Sequence, residues 1–353
     1  MEFSSRILHW YYNNQRNLPW RASKEAYKVW ISEIILQQTR VAQGLSYYNN
    51  FVATFPTIKA LAKADEQEVL KLWQGLGYYS RARNIHHTAK HISENIDGIF
   101  PDNYKDLLKL KGIGPYTAAA ISSICYNEQR AAVDGNVYRV LSRVFEIKTA
   151  INTSSGIKEF QALADKLIGN KEPGDYNQGL MELGATVCTP KNTDCPNCPL
   201  QEICIGHSNN SYEGLPQKER KTKIRTRHLN YYCIEYKNQL VLNKREGKDI
   251  WKNLFDFPLE ETELEINHLE EPNSEYLKKW LGNKPSKVLQ RNNYKHKLSH
   301  QNLNIHIQYI KTEQLKNPED LLLVGKEELH KYPVPKPIEE FLKDIQNKKT
   351  LDN

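Results

Sequence analysis

The 353-residue sequence contains no run of eighteen apolar residues, which excludes a membrane-spanning helix of ordinary length. Its first twenty residues lack the basic leader and apolar core of a secretory signal, so we expect a cytoplasmic protein. Only six cysteines occur, and cytoplasmic thiols stay reduced, so a disulfide framework is not expected. Apolar residues make up 39% and charged residues 26%, as in a folded chain. The net charge of +7 is spread over both halves, which suits a polyanionic partner without requiring one.

Residues 1–207 are predicted to form an all-α domain. Apolar residues recur at helical spacing in "EVLKLWQGLG" and "SRARNIHHTAKHISENI", and "TSSGIKEFQALADKLIG" opens with a Ser/Thr capping signal. Residues 208–225 are polar and rich in turn residues, with six Lys/Arg between Lys218 and Arg227. We interpret them as a solvated linker; an arm that contacts phosphates is the alternative.

Residues 226–345 are predicted to form a smaller α+β domain. "LNYYCIEYK" and "QLVLNKRE" have the pattern of paired strands, and "NLNIHIQYI" alternates apolar and polar residues as a half-buried strand does. "SEYLKKWLG" and "PIEEFLKDIQ" are predicted helices. Residues 346–353 are expected to be loose. The fold class is therefore multidomain, α followed by α+β, and no internal repeat is visible.

The string "LLKLKGIGPYTAAAI", residues 107–121, predicts a helix that breaks at Gly112 and Gly114 and a new helix that begins at Pro115. Glycines let the backbone approach a ligand closely, and the N–H groups of a helix N-terminus suit a phosphate. A purely structural helix-turn-helix is the alternative. The full string resembles the helix–hairpin–helix motif that holds a DNA backbone.

Two carboxylates stand in helical patterns. Asp134 precedes Gly135 just before a helix in "AAVDGNVYRVLSR", where an N-cap is the simpler interpretation, and one residue can serve both as cap and as reactive group. In "VWISEIILQQTRV", Glu33 lies off the isoleucine face, where a solvated glutamate is the ordinary expectation. Gln38 is predicted to project with the isoleucines, and its amide there needs a partner in the protein or in a ligand.

Four of the six cysteines lie within seventeen residues, in "CTPKNTDCPNCPLQEIC". Their spacing, C-x6-C-x2-C-x5-C, contains one C-x2-C pair, whereas four-cysteine zinc sites usually have two. Spacing alone leaves zinc open. The same spacing resembles the 4Fe–4S loop of the endonuclease III superfamily of DNA glycosylases, and it follows the hairpin and the Asp134 helix in that superfamily's order. The resemblance implies a 4Fe–4S cluster on Cys188, Cys195, Cys198 and Cys204.

Over nearly its whole length the chain resembles the adenine DNA glycosylases of the MutY type. The strings that carry this resemblance are "LPWR", "VWISEIILQQTRV", "LWQGLGYYSRARN", "GIGPYTAAAI", "VDGNVYRVLSR", "NQGLMELGATVC" and the cysteine loop. It implies excision of adenine opposite 8-oxoguanine or guanine in duplex DNA, as a step of base excision repair. It also implies base flipping and acid-assisted hydrolysis of the N-glycosidic bond.

The resemblance implies a role for each matching residue. Glu33 matches the general acid, Asp134 the carboxylate beside C1′, and Tyr116 and Asn136 the groups that support the intermediate. The matches to the adenine pocket are Trp20, Arg21, Leu36 and Gln178. The matches to residues that contact DNA are Gln38, Thr39, Tyr78, Gly112 and Gly114.

The second domain resembles the Nudix-like domain with which this family reads 8-oxoguanine. Family members commonly have Phe-Ser-His in the reading turn, whereas this chain has Leu298, Ser299 and His300. The resemblance implies lesion recognition by this turn, with Leu298 in place of the aromatic residue. The sequence has no Nudix hydrolase signature, so nucleotide hydrolysis is not expected.

Two other functions are alternatives to an adenine glycosylase. A pyrimidine-lesion glycosylase with lyase activity would carry a catalytic lysine after the hairpin, where this chain has Tyr116. A non-catalytic DNA-binding protein would have no need of both Glu33 and Asp134. The expected partner is duplex DNA with an adenine mispair, and the expected state is a monomer, associated with the nucleoid in a bacterium.

Overall fold

The computed structural model describes residues 2–219, 224–264, 275–282, 287–298 and 300–349. The chain divides into two compact units. The first consists of Met1–Lys63 and Asn84–Lys221, and the second of Ala64–Arg83 and Thr222–Asn353. Within the described residues, no helix has the length and apolarity needed to cross a membrane.

The sequence gives no sign that residues 64–83 group with the C-terminal part of the chain. Hydrogen bonds between residues 64–83 and residues 252 and 253 explain this grouping. Glu66 Oε1 accepts a bond from Asn253 Nδ2, and Arg83 Nη1 donates to the carbonyl oxygen of Lys252 at 2.9 Å. Partly buried side chains held by such bonds keep a short segment with its partners rather than with its neighbours in sequence.

The chain before residue 220 is helical, as predicted. Its helices are α1 Phe3–Asn14, α2 Ala26–Leu36, α3 Val41–Thr54, α4 Ile58–Lys63, α5 Glu66–Leu72, α6 Ser80–Asn95, α7 Tyr104–Leu107, α8 Pro115–Tyr126, α9 Gly135–Val144, α10 Ser154–Leu167, α11 Pro173–Thr186 and α12 Ile205–Ser208. Thr153 caps α10 by accepting a hydrogen bond from the Gly156 N–H, and Pro115 is the first residue of α8. Both predicted helix starts are confirmed.

A core of the first unit joins α1, α9, α10 and α11. Phe3, Val140, Phe160 and Leu180 are among its buried members. A Cβ at Gly184 of α11 would lie 2.6 Å from Asn136 Cβ, closer than real Cβ atoms approach. Glycine therefore lets α11 pack directly on the start of α9, which carries part of the candidate site.

The C-terminal part of the chain contains a mixed sheet and two further helices. The strands are β1 Arg225–Tyr236, β2 Gln239–Lys244, β3 Phe255–Asp256, β4 Leu259–Thr262, β5 Lys287–Lys297, β6 Gln301–Thr312 and β7 Leu322–Gly325. The helices are α13 Glu275–Leu281 and α14 Lys336–Lys349. The main order is β3-β2-β1-β6-β5, with β4 also paired to β1 and β7 to β2.

The pairing of β1 with β2 is confirmed, with Glu235 opposite Leu240 in an antiparallel ladder. β6 pairs in parallel with β1 along its length and buries Leu303, Ile305 and Ile307, the predicted core positions. β5 was not predicted from the sequence. Eight of its eleven residues are polar and it lies at one end of the strand order, so no apolar alternation marks it.

Part of the segment 208–225 is anchored to the first unit. Asn152 Oδ1 accepts a hydrogen bond from the Glu219 N–H at 2.9 Å, and Leu215 is buried. Arg143 Nε donates to the carbonyl oxygens of Tyr212 and Leu215. Residues 220–223, which hold three of the basic residues noted above, lie outside the described residues.

Candidate active site

A cavity of about 620 Å³ opens in the first unit, and ten residues singled out from the sequence lie on its wall. They are Trp20, Arg21, Glu33, Leu36, Gln38, Thr39, Tyr116, Asp134, Asn136 and Gln178. These residues come from the turn after α1, the end of α2, the start of α8, the start of α9 and from α11. The fold therefore gathers residues that are far apart in sequence into a pocket of the size used for small ligands.

Glu33 lies in this cavity, on the side of α2 opposite its buried isoleucines. The Tyr116 hydroxyl donates a hydrogen bond to Glu33 Oε2 at 2.6 Å. Burial raises the pKa of Glu33 from 4.5 to about 7; the Tyr116 hydrogen bond lowers this pKa, the Asp134 carboxylate raises it and the Arg21 guanidinium lowers it. The Glu33 carboxyl group is therefore partly protonated near neutral pH.

Asp134 is the N-cap of α9, as the simpler interpretation of the sequence predicted. Its Oδ1 accepts hydrogen bonds from the N–H groups of Asn136 and Val137, both at 2.8 Å. Its Oδ2 accepts a bond from Asn136 Nδ2 at 2.8 Å. Burial raises the pKa of Asp134, and these hydrogen bonds together with the Arg139 guanidinium lower it. Asp134 is thus both a cap and a cavity residue.

The prediction that Gln38 projects with the isoleucines of α2 was wrong. α2 ends at Leu36, and Gln38 has a φ of 54°, in the left-handed region. Its side chain is exposed rather than aligned with the isoleucines. The helical pattern in the sequence continues past the point at which the chain turns, and this turn brings both Gln38 and Thr39 to the cavity wall.

Arg16, Arg21 and Glu182 form an ionic group on the same wall, which was not predicted from the sequence. Glu182 lies on α11 with its carboxylate 1% exposed. It accepts hydrogen bonds from Arg16 Nε at 2.6 Å and from Arg21 Nη2 at 2.8 Å. A signal for it exists in the sequence, because Glu182 follows Gln178 by four residues and so shares its helical face.

The hairpin residues and Tyr78 are not on the cavity wall. Gly112 has a φ of 80°, which favours glycine, and Gly114 precedes α8 with open space where a Cβ would stand. The first turn of α8 therefore has room for a ligand close to the backbone. Tyr78 belongs to the second unit, is 46% exposed and has a φ of 48°. Its ring lies 5.5 Å from the guanidinium carbon of Arg81.

The four clustered cysteines, all free thiols, line a second, small cavity of the first unit. Arg143 Nη1 lies 3.4 Å from Cys188 Sγ and also donates to the carbonyl oxygen of Thr189. Burial raises the pKa of Cys198 to about 12. Within the described part of the chain, no three His, Cys, Asp or Glu side chains form a group that could hold a single metal ion.

In the second unit, the turn between β5 and β6 is closed by a hydrogen bond from the Leu298 N–H to the Gln301 carbonyl oxygen at 2.8 Å. His300 is exposed, and its Nε2 lies 2.9 Å from Gln301 Nε2. Ser299 lies outside the described residues. The two described residues of the predicted reading turn are thus at the tip of a β-hairpin.

Comparisons with known proteins agree with this architecture. A family model described as HhH-GPD superfamily base excision DNA repair protein matches residues 31–166, and a NUDIX domain model matches residues 230–344. The adenine DNA glycosylase of Buchnera aphidicola subsp. Schizaphis graminum is 37% identical over 345 residues, which cover 96% of this chain and 97% of that protein. The chain belongs to the adenine DNA glycosylase family.

A mammalian adenine DNA glycosylase is similar over part of the chain, and solved structures of related glycosylases match a similar share of it. The adenine DNA glycosylase of Rattus norvegicus is 42% identical over 214 residues, covering 58% of this chain and 42% of the rat protein. Among solved structures, a thermostable thymine-DNA glycosylase is 28% identical with a TM-score of 0.54, over 59% of this chain and 95% of that one. An endonuclease III–DNA complex, at 20% identity and a TM-score of 0.51, covers 59% of this chain and 94% of that one and shares the fold.

Proposed function

We propose that this adenine DNA glycosylase excises adenine paired with 8-oxoguanine or guanine in duplex DNA, by hydrolysis of the N-glycosidic bond of a flipped nucleotide. The observation that carries the proposal is a pair of carboxyl groups in one cavity, Glu33 with a pKa of about 7 and Asp134 held by three hydrogen bonds. A carboxyl group that is partly protonated near neutral pH, beside a second carboxyl group held by hydrogen-bond donors, fits hydrolysis of a glycosidic bond. The enzyme is proposed to act as a monomer in the cytoplasm.

Glu33 is the proposed general acid. Adenine leaves poorly as an anion, so a proton must reach its N7 as the bond to C1′ breaks. Because the Tyr116 hydroxyl donates to Oε2, the proton of the carboxyl group is available on Oε1. After the base leaves, the Glu33 carboxylate can accept a proton from the water that attacks C1′, which restores the acid.

Asp134 is the proposed stabiliser of the positive charge that develops on the sugar, either as an ion pair or by adding transiently to C1′. Its hydrogen bonds to Asn136 and Val137 fix the carboxylate at the N-terminus of α9. A fixed group needs no reorganisation when charge develops in the transition state. Asn136 of α9 and Tyr116 of α8 are proposed to support the charged sugar intermediate.

The remaining cavity residues are proposed to hold the flipped adenine. Trp20 is buried with its ring centroid 5.3 Å from that of Tyr48, and with Leu36 it provides an apolar wall. Arg21 and Gln178 offer hydrogen bonds to the base edge. Gln38 and Tyr78 would enter the duplex as the base leaves it, Thr39 would contact the DNA beside Gln38, and the N–H groups near Gly112 and Gly114 would hold a phosphate.

Cys188, Cys195, Cys198 and Cys204 are proposed to hold a 4Fe–4S cluster. The thiols line one cavity beside Arg143, whose positive charge favours thiolates, and the N–H groups of Leu200 and His207 point to Cys198 and Cys204. These features fit an anionic thiolate cluster. When bound, it would cross-link the end of α11 to the loop that follows.

The purified protein should therefore absorb broadly near 400 nm and contain about four irons per chain, as thiolate-ligated iron–sulfur centres do. Cys198→Ala should lose this absorption and the iron, because one of four ligands is missing. Cys125→Ala is the matched control, since Cys125 lies on α8 outside the cysteine cavity. Colourless, active protein with stoichiometric zinc would contradict the assignment.

The mispair preference is tested with single-turnover excision from duplexes carrying adenine opposite 8-oxoguanine, guanine or thymine, and from a thymine glycol duplex. Ser299→Ala combined with His300→Ala should lower the rate and affinity ratio of 8-oxoguanine to guanine by about fivefold to a hundredfold, because hydrogen bonds to the lesion at a desolvated contact are worth about 1–3 kcal/mol. Leu298 is expected to wedge beside the lesion.

His330→Ala, an exposed histidine elsewhere in the second unit, is the control and should leave the ratio unchanged. An unchanged ratio in the double variant would mean that the turn does not read the lesion. Excision of thymine glycol, with strand cleavage, would instead favour a pyrimidine-lesion glycosylase with lyase activity.

A further inference from the structure

Glu182 holds two arginines of the adenine pocket at once. Its Oε1 accepts hydrogen bonds from Arg16 Nε at 2.6 Å and from the Arg16 backbone N–H at 3.1 Å. Its Oε2 accepts bonds from Arg16 Nη2 at 2.7 Å and from Arg21 Nη2 at 2.8 Å. The carboxylate is 1% exposed, so water does not compete for these bonds.

Arg21 is held from three directions. Besides its bond to Glu182, its Nη1 donates to the carbonyl oxygen of Arg16 at 3.0 Å, and its guanidinium carbon lies 5.4 Å from the centroid of the Tyr11 ring. Its side chain is 12% exposed. A guanidinium fixed in this way presents its remaining N–H groups to the cavity in one orientation.

The charge of Arg21 also matters for Glu33. The charged and titratable groups that shift the pKa of Glu33 are Tyr116 of α8, Asp134 at the start of α9, and Arg21; Glu33 in turn raises the pKa of the Cys125 thiol of α8. Of these, Arg21 is the cation, and it lowers the pKa of Glu33. Although burial opposes it, hydrogen bonds from Arg16 and Arg21 lower the pKa of Glu182 to about 2, so Glu182 remains an anion at working pH.

We propose that Glu182 is a positioning residue, which keeps Arg21 paired and oriented for adenine so that Arg21 does not pair with Glu33. This inference rests on the proposed roles of Glu33 and Arg21. Without the Glu182 carboxylate, the Arg21 guanidinium loses its ion-pair partner, and Glu33 is a carboxyl group on the same cavity wall with which it can pair. Pairing with Glu33 would stabilise its ionised form and remove the proton that adenine needs.

The test is the pH dependence of single-turnover adenine excision by the full-length protein, with adenine opposite 8-oxoguanine. In the wild type the rate should fall as the pH rises through about 7, as Glu33 loses its proton. Glu182→Gln should move this descending limb about one pH unit toward acid and lower the rate at pH 8 about tenfold. Affinity for the mispair should change much less, because the proposed DNA contacts at Tyr78, Gly112 and Gly114 lie outside the cavity wall.

Glu182→Asp keeps the charge and should keep the limb at the wild-type pH, even at a lower rate. Glu159→Gln, the same change at an exposed position of α10, should match the wild type. An equal shift in Glu182→Asp and Glu182→Gln, or no shift in either, would overturn the inference.

If Glu182→Gln does not fold, Arg21→Met tests the effect of Arg21 on Glu33 directly. Loss of the guanidinium should move the descending limb to higher pH. A limb that does not move would overturn the inference. Glu33→Gln distinguishes a failure of the proposed function from a failure of the proposed role of Glu182. Full activity in Glu33→Gln would defeat the proposed function. An inactive Glu33→Gln with an unmoved limb in Glu182→Gln would defeat only the role of Glu182.

Discussion

Glu33→Gln should abolish adenine excision under single-turnover conditions, with a loss of at least about a hundredfold and up to about ten-thousandfold, while mispair binding is retained. Glutamine keeps the shape of the side chain and can still accept the hydrogen bond from Tyr116, which lies 2.6 Å from Glu33 Oε2. It cannot deliver a proton to adenine N7. The measurement is the excision rate together with the dissociation constant for the adenine:8-oxoguanine duplex.

The burial of Glu33 determines how the excision rate should change with pH. Burial raises the pKa of Glu33 to about 7. The protonated form therefore predominates below that pH and is lost as the pH rises through it. An acid that must be protonated therefore gives a wild-type rate that declines as pH rises through about 7. Glu94→Gln, at an exposed position of α6, is the matched control. Near-normal excision by Glu33→Gln would show that another group is the acid.

Asp134→Asn should lose excision activity by about a hundredfold or more, although the variant stays folded. Asparagine is as good an N-cap as aspartate, so the hydrogen bonds to the Asn136 and Val137 N–H groups at the start of α9 are retained. The amide has no negative charge to stabilise the sugar cation and cannot add to C1′. The bond from Asn136 Nδ2 to Oδ2 is lost, so the expected result is a low single-turnover rate with only a small fall in melting temperature.

Asp134→Ala separates the two roles of this residue. It removes both the charge and the cap, and should lose about 1 kcal/mol of folding free energy in addition to the activity. Asp134→Asn and Asp134→Ala would then be equally inactive but differ in stability. If Asp134→Asn were active, the carboxylate would be a cap alone, the simpler of the two interpretations that the sequence allowed.

The starts of the helices could be predicted because their signals are local. Thr153 and Pro115 mark helix starts by their own hydrogen-bonding and backbone properties, and Asp134 caps α9 in the same way. Parallel pairing of β1 with β6 brings together residues more than seventy positions apart, and local pattern carries no information on it. β5 escaped prediction because its residues are polar.

The sequence by itself determined the helical first domain, the α+β character of the second, and the identity of most residues on the cavity wall. These follow from periodicity, from capping chemistry and from the resemblance of short strings to one family. Only the tertiary structure decided the turn at Gln38, the pairing of Glu182 with Arg16 and Arg21, and the raised pKa of Glu33. The physical reason is that burial and ion pairing depend on which helices pack together, and α2, α8, α9 and α11 meet only in the folded chain.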